Sequence, residues 1–279
     1  MVRDLSRLHD ITAIVIRYGG GDLVRLLGLG NLLERAGRIL HWKEKTEVQH
    51  LEPAVRMRLA LEELGPTFVK LGQVLATRVD LFPPHWIAEF EKLQSAVPPV
   101  PYETLLPEMQ QALGCPPEEV FRDIEPEAFA AASIAQVHRA KLQDGTPVVL
   151  KVRRPAIRAK IEADLRIMGH VARLLESEIS EFRRYQPVQI VAEFARSLRR
   201  ELDLAVEARH VDRFRENFSG DPHIVVPRVH WEWTSETMNV QEFVEGVPGT
   251  YLKAVDEAGL DRRILATRAA DAVLKMILI

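Results

Sequence analysis

The stretch Ile134-Ala135-Gln136-Val137-His138-Arg139-Ala140-Lys141-Leu142, then Gln143-Asp144-Gly145-Thr146, then Pro147-Val148-Val149-Leu150-Lys151-Val152, decides the fold. Two apolar-rich runs flank an Asp-Gly pair, and glycine supplies the positive φ that a tight hairpin needs. The segment therefore predicts two antiparallel strands, with Lys151 on the outgoing one. Side chains alternate across a strand, so Leu150 and Val152 share one face and Lys151 takes the other.

Outward from the hairpin the period becomes helical. Apolar spacing predicts helices over about 156–177 and 188–218 and strands over 225–231 and 238–244. A final helix carries Ile264, Leu265, Ala272, Val273, Leu274 and Met276. Upstream, a short helix is expected over 102–113. Pro98, Pro99 and Pro101 each fix their own φ and restrict the residue before them, which sets a boundary near residue 97. The first 97 residues read as helices, with Leu5, Leu8 and Ile11, and later Leu59, Leu61 and Leu64, at helical spacing. Gly19-Gly20-Gly21 interrupts them, and Asp22 is the expected N-cap of the next helix. Helices, a hairpin, two helices, two strands and a helix make an α+β chain with an antiparallel sheet.

Composition bounds the function. With 279 residues, 47% hydrophobic and 28% charged, the chain has material for one large or two ordinary domains with a substantial core. A net charge of −3 argues against nucleic acid as a partner, since that binding rests on many Lys and Arg contacts to phosphate. From Arg3 to Lys45 eight basic residues, among them Arg25, Arg35, Arg38, Lys43 and Lys45, face five acidic ones. Such helices read first as a solvated face and second as a surface for an anionic membrane. The single cysteine, Cys115, makes no intrachain disulfide and fits a reducing compartment. Charges in the first turns leave no h-region for a signal peptide, and no run reaches the ~20 apolar residues of a membrane span. The expectation is a cytoplasmic protein, peripheral at most to the inner face of a membrane.

Four features carry chemistry. Lys151 sits among β-branched residues on a strand, where a lysine alone would read as an exposed face; a carboxylate partner on a helix would make it a phosphate-binding group. Glu201 and Glu207 supply candidates on the 188–218 helix, and at ~100° per residue they point about 120° apart, so they need not share a role. Ala130, Ala131, Ala132 and Ser133 precede the hairpin where a phosphate-cradling loop would stand, with alanine in place of the usual glycine. Finally, Lys70 and Gln73 in Lys70-Leu71-Gly72-Gln73 share a helix face at i and i+3.

These four features in this order resemble the UbiB family of atypical kinase-like proteins. The likeness runs through the KxGQ segment at Lys70–Gln73, Thr77-Arg78 to Pro83-Pro84, Leu93-Gln94, the alanine-rich loop, Lys151, the ExD pair Glu201 and Asp203, and Gln241-Glu242-Phe243-Val244-Glu245-Gly246. The resemblance implies a helical extension over 1–97 packed on a protein-kinase-like N-lobe over 98–245, with a C-lobe beginning at 246–279. It implies that Lys151 contacts nucleotide phosphates, Glu207 orients it, Ala130 to Ser133 cover the nucleotide, and Glu242 and Val244 meet the adenine. Lys70 and Gln73, with Glu201 or Asp203, would form a regulatory cover. The implied cofactor is ATP, and the implied role is ATP-dependent support of ubiquinone synthesis, with an isoprenoid-quinone precursor or membrane surface as further partner. The alternative is a non-catalytic lipid- or partner-binding helper. Two positions depart from the pattern: Ala135 stands where glycine is usual and Val79 where proline is common. No His or Asn follows Asn239, and Asp256, Asp261 and Asp271 show no DFG pattern. A catalytic loop and Mg²⁺ ligands of the kinase type are therefore not expected within these residues, and no ATP turnover is expected of the 279-residue chain alone.

Overall fold

The computed structural model describes residues 2–27, 48, 50–93 and 98–278. Arg35, Arg38, Lys43, Lys45 and Gln94 lie outside the described residues. The chain forms two compact units that interleave along the sequence: Met1–Leu105, Ala130–Gln136 and Arg153–Leu202 in the first, and Leu106–Phe129, Val137–Val152 and Asp203–Ile279 in the second.

The first unit is a helical assembly. Its main helices are α1 (Val2–Arg17), α2 (Pro53–Leu64), α3 (Pro66–Ala76), α4 (Ile157–Glu178) and α5 (Pro187–Glu201). Pro53, Pro66 and Pro187 stand in first turns, where the missing N–H costs nothing. Asp22, the expected N-cap, lies instead inside the first turn of the short helix Gly21–Leu26, where an acidic side chain favours the helix dipole. Ile16, Leu61, Phe68, Phe90, Ile161 and Leu198 belong to one continuous core. Within that core sits a charge. Asp164 of α4 is fully buried, and Arg7 of α1 reaches its two oxygens at 2.6 and 3.3 Å. Thr67 of α3, also fully buried, donates its hydroxyl to Asp164 at 2.6 Å, and Arg7 spends a further N–H on the Leu64 carbonyl at 2.6 Å. One carboxylate thus ties three helices.

Gly72 obeys the same packing. A Cβ there would stand 2.2 Å from Leu93 Cδ1 and 2.9 Å from Leu61 Cδ1, so glycine lets α3 approach its neighbours closely.

The second unit is built on the hairpin. The sheet runs β1 (Phe121–Arg122), β3 (Ala135–Leu142), β4 (Pro147–Arg153), β5 (Met238–Glu242) in that spatial order, and β2 (Ala130–Ala131), paired to β3, falls with the start of β3 in the first unit. Gly145 takes φ +95° in the turn, and Asp144 accepts the Thr146 N–H at 2.8 Å. Val148, Leu150 and Val152 on β4 and Met238 and Val240 on β5 are fully buried. Helix α6 (Leu204–Asn217) packs on β5, and α7 (Arg262–Leu278) is the last described helix.

Three expectations need correction. The helix expected over 188–218 is two helices, because Asp203 caps α6 by accepting the Ala205 N–H at 3.0 Å. Its flanking backbone is diverted as well: the Leu202 carbonyl accepts from Arg153 Nη1 at 3.0 Å, and the Leu204 N–H donates to the Glu236 carbonyl at 3.1 Å. The strand expected over 225–231 is a single bridge, Val229 to Gln241, and then a turn of 3₁₀ helix at Trp231–Trp233. Pro227 has no N–H for a ladder. The helix expected over 102–113 divides into Tyr102–Thr104 and Leu106–Leu113.

Removing one partner of a buried ion pair strands the other, typically at a cost of about 3–5 kcal/mol. Asp164→Ala is therefore expected to lower unfolding stability in urea by about that amount. Arg199→Ala, which breaks the exposed pair with Glu162 at 2.8 Å, should cost under about 1 kcal/mol. Equal losses for the two variants would show that the buried carboxylate is not the tie described.

Candidate functional site

The sheet brings Lys151 to a helix. Lys151 Nζ lies 2.8 and 2.6 Å from the two oxygens of Glu207, in the first turn of α6. Pairing was open between Glu201 and Glu207 on residue pattern alone, and the Asp203 cap removes the ambiguity. It ends α5 at Glu201 and starts a new helix on which Glu207 projects to the sheet. The two glutamates therefore do not lie on one helix, and the 120° separation drawn from a continuous helix does not apply. Asp203 itself holds the cap, with Arg209 3.7 Å from its other oxygen.

Antiparallel register places Asn239 directly across from Lys151, and Gln241 across from Val149. Directly opposed residues share a face, so all four side chains rise on the side of the sheet that meets α6. Beyond β5, the Glu242 N–H donates to the Arg228 carbonyl at 2.9 Å and the Phe243 N–H to the Pro147 carbonyl at 3.0 Å. Glu242 and Val244 are exposed. Arg139 lies over both the Phe129 and Phe243 rings, 4.2 and 4.8 Å from their centroids.

In the helical unit, Lys70 Nζ meets Glu201 at 2.6 Å. Gln73 donates to the Leu93 carbonyl at 3.1 Å. Of Glu201 and Asp203, the partner that Lys70 takes is Glu201. The alanine-rich segment belongs to this unit too. No residue from Ala130 to Ala135 has a positive φ. Ala130 and Ala131 form a short strand and the Ala132 N–H donates to the Ala135 carbonyl at 2.9 Å, so alanine is tolerated where a glycine-rich loop would demand left-handed backbone.

Two residues that sequence reasoning passed over hold this segment. Arg154 donates to the carbonyls of Ala132 at 2.8 Å and Pro98 at 2.9 Å, and burial pushes its guanidinium pKa below the ordinary value. Gln136, fully buried, makes a paired amide contact with Val100, accepting its N–H at 3.0 Å and donating to its carbonyl at 3.1 Å. The signal was present as Arg-Arg-Pro after a strand and as a polar residue at an inward position, but neither names its partner.

Among the described residues no helix is long and apolar enough to cross a membrane. No group of three His, Cys, Asp or Glu side chains among them is placed to hold a metal ion.

Comparison with known proteins identifies the family. The model of the ABC1 atypical kinase-like domain matches residues 92–279. Proteins named Probable protein kinase UbiB are 40% identical over 95% of this chain in Aliivibrio fischeri, 42% over 96% in Marinobacter nauticus and 39% over 96% in Pseudomonas aeruginosa. The chain belongs to the UbiB family of ABC1 atypical kinase-like proteins. It covers 49 to 50% of those three relatives, about half the length of each. A solved structure of Rv3197 with erythromycin from Mycobacterium tuberculosis is similar at 22% identity over 82% of this chain and 52% of that one, with a TM-score of 0.47.

The Lys151 and Glu207 side chains are 32% and 44% exposed, so water screens their attraction and the pair contributes at most about 1 kcal/mol. Glu207→Gln is expected to leave urea unfolding within that margin. Arg154→Ala removes two carbonyl clasps and should speed amide hydrogen exchange across residues 132–135; unchanged exchange there would count against the clasp.

Proposed function

We propose that this chain carries the nucleotide-binding residues of an ATP-dependent atypical kinase or ATPase that supports ubiquinone synthesis. The single observation that carries the reading is the bidentate hold of Glu207 on Lys151. A lysine ammonium has three N–H donors. Both Glu207 oxygens lie within reach of it, so the ammonium can give an N–H to a phosphate oxygen while Glu207 still holds its charge in place. That is the arrangement phosphoryl-transfer proteins use to hold nucleotide phosphates. ATP suits these residues, and in the bound nucleotide the phosphates supply the chemistry of transfer. Lys151 binds and orients them. We assign Ala130, Ala131, Ala132 and Ser133 to cover the nucleotide and Glu242 and Val244 to meet its base, on family likeness. Lys70, Gln73, Glu201 and Asp203 are assigned to a regulatory cover, on the same likeness. Mg²⁺ ligation is assigned to none of the described residues.

The second reading, a helper that binds a lipid or isoprenoid-quinone precursor, has one observation in its favour. Within the helical unit an apolar cavity of about 260 Å³ is lined by Leu8, Ile11, Val15, Phe68, Met168 and Val171 among others. Cavities of such lining take apolar ligands.

Titration with a fluorescent ATP analogue separates the readings. Lys151→Ala is expected to weaken binding at least about tenfold, some 1.4 kcal/mol, with the thermal midpoint little changed. Glu207→Gln should weaken it less, because the ammonium stays but loses its orienting charge. A chain that binds the analogue equally well with and without Lys151 refutes the nucleotide assignment.

A further inference from the structure

Asn239 is 1% exposed, and among the described residues neither its amide oxygen nor its amide nitrogen has a hydrogen-bond partner. The large majority of buried polar groups in folded proteins are hydrogen-bonded, because leaving one unpaired forfeits its bonds to water. Asparagine is also disfavoured in strands. An apolar side chain at this position would bury more cheaply, so the amide calls for a partner the fold can bring to it.

The register supplies one. Asn239 is the direct cross-strand partner of Lys151, and such pairs stand about 5 Å apart at their Cβ atoms on a shared face. Helix α6 packs on β5 at that face, since Glu207 reaches Lys151 from it. The amide is therefore enclosed in the layer that holds the ion pair. Met238 and Val240, its neighbours along the strand, point to the opposite, fully buried face.

We infer that Asn239 is a positioning residue for Lys151, its amide oxygen receiving an ammonium N–H when nucleotide phosphate draws another away from Glu207. This rests on the nucleotide reading above. A tetrahedral ammonium with three donors then has three acceptors: one Glu207 oxygen, one phosphate oxygen and the Asn239 Oδ1. Asn239 is neutral, so it holds the lysine without competing for its charge. The cost of the unpaired amide oxygen is offset only when the ammonium turns, which couples that oxygen to phosphate binding.

The test measures thermal midpoint and affinity for a fluorescent ATP analogue on the same purified 279-residue chain, for wild type, Asn239→Leu and Asn239→Thr. Asn239→Leu removes an unsatisfied buried group and is expected to raise the midpoint while weakening binding about tenfold. Asn239→Thr keeps a short acceptor and should fall between the two on affinity. A merely structural role moves stability and leaves affinity alone, so a well-folded leucine variant that binds like wild type overturns the inference. Should the leucine variant fail to fold, a threonine variant with unchanged affinity does the same. Wild type that binds no analogue at all removes the nucleotide reading and this inference with it, which distinguishes the two failures.

Discussion

The cap at Asp203 is the constraint on which the arrangement of both motif pairs depends. Apolar spacing runs without a gap from Val188 to Phe218, and a continuous helix would carry Glu201 and Glu207 on one rigid rod. By accepting the Ala205 N–H, Asp203 starts a second helix. The division of the chain into compact units falls at the same place, between Leu202 and Asp203. Glu201 is left at the end of α5 to pair with Lys70, and Glu207 is placed on the first turn of α6 to pair with Lys151. A single local hydrogen bond separates two carboxylates six positions apart onto two helices with two different partners.

The ion pairs differ in kind, and their physical consequences differ accordingly. Asp164 is enclosed, so its partners Arg7 and Thr67 act as structural ties whose loss leaves a charge without compensation. Lys151–Glu207 and Lys70–Glu201 are partly open to water. Such pairs add little to stability, and water at their edges lets them exchange partners at low cost. Helix α3 shows both kinds within one turn: Thr67 anchors it to the core and Lys70, three residues on, faces a carboxylate at the surface.

The alanine-rich segment shows a related property of the backbone. Glycine is required where φ must be positive, and this segment meets its geometry with a short strand and clasps from Arg154 and Gln136. The Arg154 contact is to a backbone carbonyl, which alanine presents as well as glycine does.

Read alone, the sequence determined what depends on neighbours a few residues away. The Asp-Gly turn, the alternation that sets Lys151 opposite Leu150 and Val152, and the long helix from Ile157 were all legible, because turn chemistry and periodicity act over such distances. The order of motifs gave the family. Tertiary structure alone decided the partners. Arg7 meets Asp164 across 157 positions, Lys151 meets Glu207 across 56, and Asn239 is buried at a strand position whose pattern does not announce it. It also decided against a continuous helix at Asp203 and a full strand at Val225, since both depended on where distant backbone donors and acceptors came to lie. Hydrogen bonds and ion pairs form by proximity in space, and the chain's local preferences do not encode that proximity.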